Sequence, residues 1–252
     1  MHSALPGYSC IAQYRCITGL PDGYKPPEIA LLESNSDKPE SETEVLVVVT
    51  VPPRIVGQPP DPDGHTEWIV LGKTLQKFLG DPARCPFQPV PKPSSGSGQS
   101  YIIKSTPTMG KGMFARRNIK MGEIIFAERP LLIRPGAFSP PPLEMKQEAE
   151  LRKYSHEDME KVFLFEGERQ LEVALGRMEP ERTKNFLGLT NAHKEDEDGT
   201  GPLSGIARTN MYGCWELWDG DAGPSFREVY GMVCDVGSRI NHRLDSGSFN
   251  DV

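Results

Sequence analysis

The chain reads Met109-Gly110-Lys111-Gly112-Met113-Phe114-Ala115 and then, past a short polar stretch, Gly122-Glu123-Ile124-Ile125-Phe126-Ala127-Glu128-Arg129-Pro130-Leu131-Leu132. Glycines at alternate positions permit positive backbone dihedrals and let main-chain amides and carbonyls come close to a neighbour. No third glycine follows and no helix starts here, which excludes the dinucleotide-binding fingerprint. Tyr101 to Lys104 alternates as a strand, Gly110 and Gly112 make a turn, and Asn118-Ile119-Lys120-Met121-Gly122 makes another. Glu123 to Ala127 reads as a strand. Pro130 to Ile133 continues it as an edge strand, because proline has no N–H to give to a ladder. The apolar register of these pieces predicts a small antiparallel sheet. Taken alone, a Gly-x-Gly is most often a hairpin turn.

The 252 residues, 27.9 kDa in all, suffice for one sizeable domain with an appendage or for two small domains. A formal net charge of -7 and a pI near 5.4 argue against a grip on nucleic acid by overall charge. The longest dense apolar run is Val45-Leu46-Val47-Val48-Val49, far short of the roughly 20 residues that span a bilayer. The N-terminus lacks a basic start followed by an apolar stretch, so no secretory leader is expected. Five cysteines, Cys10, Cys16, Cys85, Cys214 and Cys234, are scattered without a CxxC pair. A tetrahedral zinc site needs paired ligands at short spacing, so free thiols in a reducing compartment are expected instead. The acidic run Glu195 to Asp198 lacks the alternating ligand spacing of a calcium loop. No metal is expected.

Residues 1–100 are punctuated by Pro26-Pro27, Pro52-Pro53, Pro59-Pro60 and Pro89-Val90-Pro91-Lys92-Pro93. Glu44 to Val51 reads as a strand from its β-branched run. Trp68 to Leu79 reads as a strand that turns at Gly72 into a short helix from Thr74. Ser94-Ser95-Gly96-Ser97-Gly98-Gln99-Ser100 has the composition of a flexible linker. A boundary is placed there: a Pro/Gly-rich extension with little regular structure over 1–100, and a second region over 101–252 with a helical insert at 140–190.

The insert starts at Ser139-Pro140, where proline loses nothing at a first helical position. Leu143 to Tyr154 is charged and helix-favouring, and Ser155-His156-Glu157-Asp158 is a capping box. Met159, Val162, Phe163 and Phe165 give helical spacing that ends at Gly167 or runs to Leu175. Glu181 to Leu187 is a further short helix and Asn191 to Gly201 a loop. Leu203 to Met211 reads as a strand or a helix-to-strand passage. Val229 to Val236 reads as a short helix or turn leading into Ser238-Arg239-Ile240-Asn241-His242. The fold class expected from these pieces is α+β.

Three blocks in this order carry a family resemblance. Gly110 to Ala115 with Ile119, Gly122 to Ile125 and Glu128 to Leu132 resembles the start of a SET domain. Gly201-Pro202-Leu203-Ser204-Gly205-Ile206-Ala207-Arg208-Thr209-Asn210 looks like the strand after the variable helical insert in fungal SET proteins of the SMYD-like branch. Ser238 to His242 is similar to the first half of that family's RINHSCxPN motif. The resemblance implies a β-clip of short antiparallel strands and a protein-lysine methyltransferase that uses S-adenosyl-L-methionine. Such an enzyme works mostly by aligning a sulfonium methyl with a neutral lysine amine, inside a ring of oxygens that stabilise the moving charge. By position, the main chain of Lys111, Gly112 and Met113 takes the methionine part of the cofactor. Asn241 and His242 take its amino-acid or adenosine part, and Asn210 faces the same pocket.

Beyond His242 the chain reads Arg243-Leu244-Asp245-Ser246-Gly247-Ser248-Phe249-Asn250-Asp251-Val252. The family pattern has Ser-Cys, Pro-Asn and a later catalytic tyrosine there, often with a zinc-binding cysteine segment. No tyrosine follows Tyr230. The resemblance therefore implies a SET domain incomplete at its C-terminus, poorly stable and inactive as a transferase, with no catalytic residue assigned. Without the threaded C-terminal segment, Ile124, Phe126, Leu131 and Ile133 are expected to lose cover, each forfeiting roughly 1.5–3 kcal/mol. The alternative is a catalytically dead SET fragment serving as an interaction module, or the product of a splice variant or a misread gene. The expected partner of an active form is a protein substrate offering a lysine, with no nucleic acid and no membrane, the chain being a monomer. The expected location is intracellular, with nucleus and cytoplasm both open.

Overall fold

The computed structural model describes residues 20–26, 29–32, 46–79, 88–93, 98–107, 110–135, 153–193, 201–218 and 229–240. In chain order they form β1 (Ala30–Leu32), β2 (Leu46–Val51), β3 (Thr66–Leu71), α1 (Gly72–Leu79), β4 (Tyr101–Thr106), β5 (Gly110–Ala115), β6 (Leu132–Pro135), α2 (His156–Arg177), α3 (Pro180–Leu187), α4 (Pro202–Asn210), β7 (Met211–Trp218), β8 (Val229–Val233) and a 3-10 turn at Gly237–Arg239. The class is α+β. One sheet has the order β1-β2-β3-β6-β8-β7, and β4 and β5 form a separate hairpin.

The large sheet is mixed rather than purely antiparallel. β1 pairs with β2 and β3 with β6 in parallel, while the other neighbours are antiparallel. A parallel pair needs a long crossover, and the β4–β5 hairpin lies in the connection between β3 and β6.

Strand side chains alternate between faces, and this sheet is covered on both. On one face Leu46, Val48, Ile69, Leu71, Leu132 and Val233 meet Leu171, Leu175, Phe186, Leu203 and Ile206 of the helices. On the other, Val47, Val49, Val51, Trp68, Val70, Ile133 and Tyr230 gather around Leu75 of α1. Coverage on both faces explains why β2 and β3 are buried at every position, and why β2 reads as a continuous apolar run. Tyr230 is fully buried, and its hydroxyl accepts a hydrogen bond from the Leu71 N–H at 3.1 Å.

Polar residues interrupt the helix-side face at Arg134 of β6 and at a cross-strand pair. Thr50 and Glu67 are direct cross-strand partners. The Glu67 side chain is 0% exposed. Thr50 Oγ1 lies 3.0 and 2.9 Å from its two oxygens, Arg54 Nη2 donates at 3.0 Å, and Arg177 Nε of α2 stands 3.5 Å away. This buried cluster ties β2 and β3 to the end of α2.

The serine half of the expected capping box is present: Ser155 Oγ accepts from the Asp158 N–H at 3.1 Å and donates to Asp158 Oδ2 at 2.8 Å, starting α2, which runs past both expected ends to Arg177. Helix α3 lies where Glu181 to Leu187 was expected. Several expectations are corrected. Pro202 to Asn210 is helix, not the strand of the family comparison, and only Met211 begins a strand. Proline at its first position was the overlooked signal. Val229 to Val233 is a buried strand, not a helix or turn. Its five residues are too few for periodicity to separate the two. Residues 123–127 are not a strand, and β6 is not an edge but lies between β3 and β8. Leu131 and Ile133, expected to lack cover, are 1% and 6% exposed, whereas Ile124 is 45% exposed and Phe126 packs edge-on against Tyr101.

The segment before residue 101 supplies β1, β2, β3 and α1, three strands of the large sheet among them. Its described prolines stand outside these strands, in the loops, where they cost no ladder bond. The expected helix start at Ser139-Pro140, the stretch Leu143 to 152 and the acidic run Glu195 to Asp198 lie outside the described residues.

Glu172 of α2 provides a pH test. Burial, and then the neighbouring Glu168 carboxylate, push its carboxyl up from 4.5 to about 7. A carboxyl whose folded value exceeds its unfolded one contributes stability below about pH 4.5 and loses it as pH rises through about 7. The full shift corresponds to about 3 kcal/mol, which solvent screening of a half-exposed group reduces to about 1–2 kcal/mol. Glu172→Gln should therefore melt with the wild type at pH 4.5 and roughly 3–6 °C above it at pH 8. An equal offset at both pH values in a calorimetric melt would contradict this origin.

Candidate functional site

The β4–β5 hairpin sets Lys104 opposite Gly112 and Thr106 opposite Gly110. Gly110 has φ +68°, a left-handed conformation that side-chain-bearing residues adopt only with strain. The Thr106 hydroxyl donates to its carbonyl at 2.9 Å and closes the tip. From there the strand alternates: Lys111 is exposed, Gly112 buried and Met113 half-buried.

Two distant segments meet this strand. A Cβ placed on Gly110 would stand 3.6 Å from Thr190 Oγ1. The Thr190 carbonyl accepts from Asn210 Nδ2 at 2.7 Å, and the Asn210 carbonyl accepts from the Ser238 hydroxyl at 3.3 Å. The 3-10 turn Gly237–Arg239 packs directly against β5. Arg239, 7% exposed, donates from Nη2 to the Gly188 carbonyl at 3.3 Å. The glycine strand, the end of α3, the end of α4 and the segment after β8 thus converge.

Of the residues singled out from sequence, Lys111, Gly112 and Met113 lie on the strand at this junction. Asn210 is there too, but as the last residue of α4 and 7% exposed. Its Nδ2 also donates to the Ile206 carbonyl at 2.7 Å, so the amide nitrogen fastens the helix end to Thr190. Asn241 and His242 lie outside the described residues; Ile240, just before them, is 44% exposed.

Sequence reading missed Thr190 and Tyr212. The Tyr212 hydroxyl donates to the Gly237 carbonyl at 2.7 Å, and burial, with smaller contributions from Cys234 and Glu128, pushes its pKa up. No spacing rule links Tyr212 to Gly237, because their contact depends on how β7 pairs with β8. Cys234 is buried at the same place, and burial followed by Glu128 pushes its thiol up to about 12. A thiol held that high stays protonated at neutral pH and is a poor nucleophile.

The arrangement offers main-chain donors and acceptors of a side-chain-poor strand beside a polar turn. Such a surface can take a small zwitterion by hydrogen bonds. Among the described residues no group of three or more His, Cys, Asp or Glu is placed to hold a metal ion, and no helix is long and apolar enough to cross a membrane. No family model, curated protein or solved structure matches this chain.

Proposed function

We propose that residues 101–242 form the methyl-donor-binding part of a SET-type, S-adenosyl-L-methionine-dependent protein-lysine methyltransferase. One observation carries this reading. Strand β5, which begins at Gly110, and the turn leading into Ile240, far apart in sequence, lie side by side. The same junction joins Gly110 through Thr190 and Asn210 to Ser238. The residues present suit the cofactor: Gly110 takes a backbone conformation that opens the strand tip, and Gly112 brings bare main chain into the junction.

When bound, S-adenosylmethionine supplies an electrophilic methyl group for a neutral lysine amine. The main chain of Lys111, Gly112 and Met113 would bind its methionyl end, and Asn241 and His242 its amino-acid or adenosine end. Asn210 acts by position, fixing Thr190 beside Gly110 and Ser238 beside the strand. A second reading, an interaction module without catalysis, is favoured by exposed apolar side chains on the two segments of the junction, Phe114 of β5 at 44% and Ile240 after the turn at 44%.

Isothermal titration of the chain with S-adenosylmethionine tests the first reading. Saturable one-site binding is expected, with Kd in the range of about 1–100 μM. No saturable heat up to about 1 mM, where binding free energy falls to about 4 kcal/mol, would favour the interaction module.

A further inference from the structure

We infer that Glu128 is a positioning residue: its carboxylate sets the backbone of Asp235–Gly237 and thereby holds the segment Ser238 to Ile240 against the glycine strand. Three consecutive main-chain N–H groups converge on this one side chain. Asp235 N–H and Val236 N–H donate to Oε2 at 3.2 and 3.1 Å, and Gly237 N–H donates to Oε1 at 2.6 Å. The Gly237 peptide is gripped from its other end as well, because its carbonyl accepts the Tyr212 hydroxyl at 2.7 Å.

The approach is tight, so that a side chain at Gly237 would make its neighbours give by a few tenths of an ångström. A Cβ on Gly237 would stand 3.1 Å from Cys234 Cβ and 3.3 Å from Glu128 Oε1, so a side chain there would push the carboxylate away. Glu128 comes just before β6, and the amides it holds come just after β8. β6 and β8 are paired in the sheet, so the rigid ladder fixes where the carboxylate and the three amides stand. The turn has few other anchors: Asn185 Nδ2 donates to Asp235 Oδ2 at 2.8 Å, and the Ser238 and Arg239 contacts lie downstream. A charged acceptor of three amides makes stronger bonds than a neutral one and holds the backbone in a single geometry. Burial works against this arrangement by raising the carboxyl pKa, and the three amides pull it back. Glu128 touches no reacting group. It acts through the turn.

The consequence for ligand affinity rests on the methyl-donor reading, whereas the backbone consequence stands alone, and one set of measurements separates them. Amide hydrogen exchange is followed in the wild-type chain, in Glu128→Gln and in Tyr212→Phe. Glu128→Gln keeps size and one acceptor oxygen but turns an NH2 toward the donors. In that variant the amides of Asp235, Val236 and Gly237 should exchange about tenfold faster or more, the loss of one charged hydrogen bond, while those of Val233 and Leu131 keep their protection. Tyr212→Phe, which removes the opposite grip on Gly237, should loosen the same three amides less. Unchanged exchange at 235–237 in Glu128→Gln overturns the inference, as does a rise shared equally by Val233 and Leu131. S-adenosylmethionine titrated into the same proteins should bind Glu128→Gln about tenfold more weakly than wild type. Equal affinities would remove the functional half of the inference. A wild type that binds none sinks the methyl-donor reading alone, the exchange data still deciding the role of Glu128.

Discussion

Glu67→Ala is expected to destabilise the chain by about 3–5 kcal/mol, the usual cost of removing one partner from a buried ionic cluster. The side chain is fully buried between Thr50, Arg54 and Arg177. Burial pushes its carboxyl up, and the Thr50 hydrogen bonds and the Arg54 and Arg177 charges only partly pull it back. The cluster is therefore no large net stabiliser, yet breaking it is costly. Arg54, 40% exposed, can turn to water when the carboxylate is gone, but Arg177 at 19% cannot do so freely. The melting temperature should fall by about 10 °C in a chain of this size. The double replacement Glu67→Leu with Arg177→Leu should recover most of the loss, since an apolar pair of similar volume avoids the burial cost. A loss under about 1 kcal/mol in the single variant, read from chemical denaturation, would mean that the cluster is not closed in solution.

Glu168→Ala is expected to cost as much and to reach the candidate site. The carboxylate lies on the axis of α4 and accepts from the Leu203 and Ser204 N–H groups, each at 2.8 Å. Helix α4 has no side-chain cap of its own from Gly201, so this carboxylate from α2 takes that role. It is also the charge that opposes the desolvation of Arg134, a 4% exposed guanidinium that burial pushes down to about 10. Removal leaves two buried amides without their acceptor and a buried cation without the charge that opposes its desolvation, for about 3–5 kcal/mol. Freed at its start, α4 no longer fixes Asn210 beside Thr190, so exchange should quicken along the helix and at Ser238. Gly201→Ala acts in the same direction, because its Cβ would lie 2.4 Å from the Glu168 carboxyl carbon. Wild-type protection of α4 in Glu168→Ala would show that the cap is dispensable.

Both effects sit where side-chain chemistry crosses between distant segments, and that is also where sequence reading runs short. Three features were legible because their causes are local. Ser155 and Asp158 announce the start of α2 by a bond across three residues. The β-branched run Leu46 to Val51 reads as a strand and is one. Gly72 marks the change from β3 to α1. Strand β8 was misread, and the α4 stretch was left open between a strand and the helix-to-strand passage it is, because their apolar residues satisfy more than one period over so few positions. The glycine pair stood out by composition, though it was read as a turn where Gly110–Ala115 is a strand, and the roles of Thr190 beside Gly110 and of Tyr212 beside Gly237 left no such mark. A threonine at a helix end and a tyrosine in a strand have many ordinary uses.

Local chemistry was enough for the class of the fold and for most of its helices, while the pairing of Gly110 to Met113 with Ser238 to His242 was implied only by the family resemblance. Registration between far-apart backbones was not. That the proline-punctuated first hundred residues join the sheet through β3 and β6 depends on main-chain hydrogen bonds, which every residue type can make and which therefore leave no mark in composition. The same holds for Glu128, whose three donors are peptide amides, and for Glu168, whose partners are the bare first turn of another helix. A carboxylate's preference for such groups is general; only the packed sheet and helices decide which ones stand within reach.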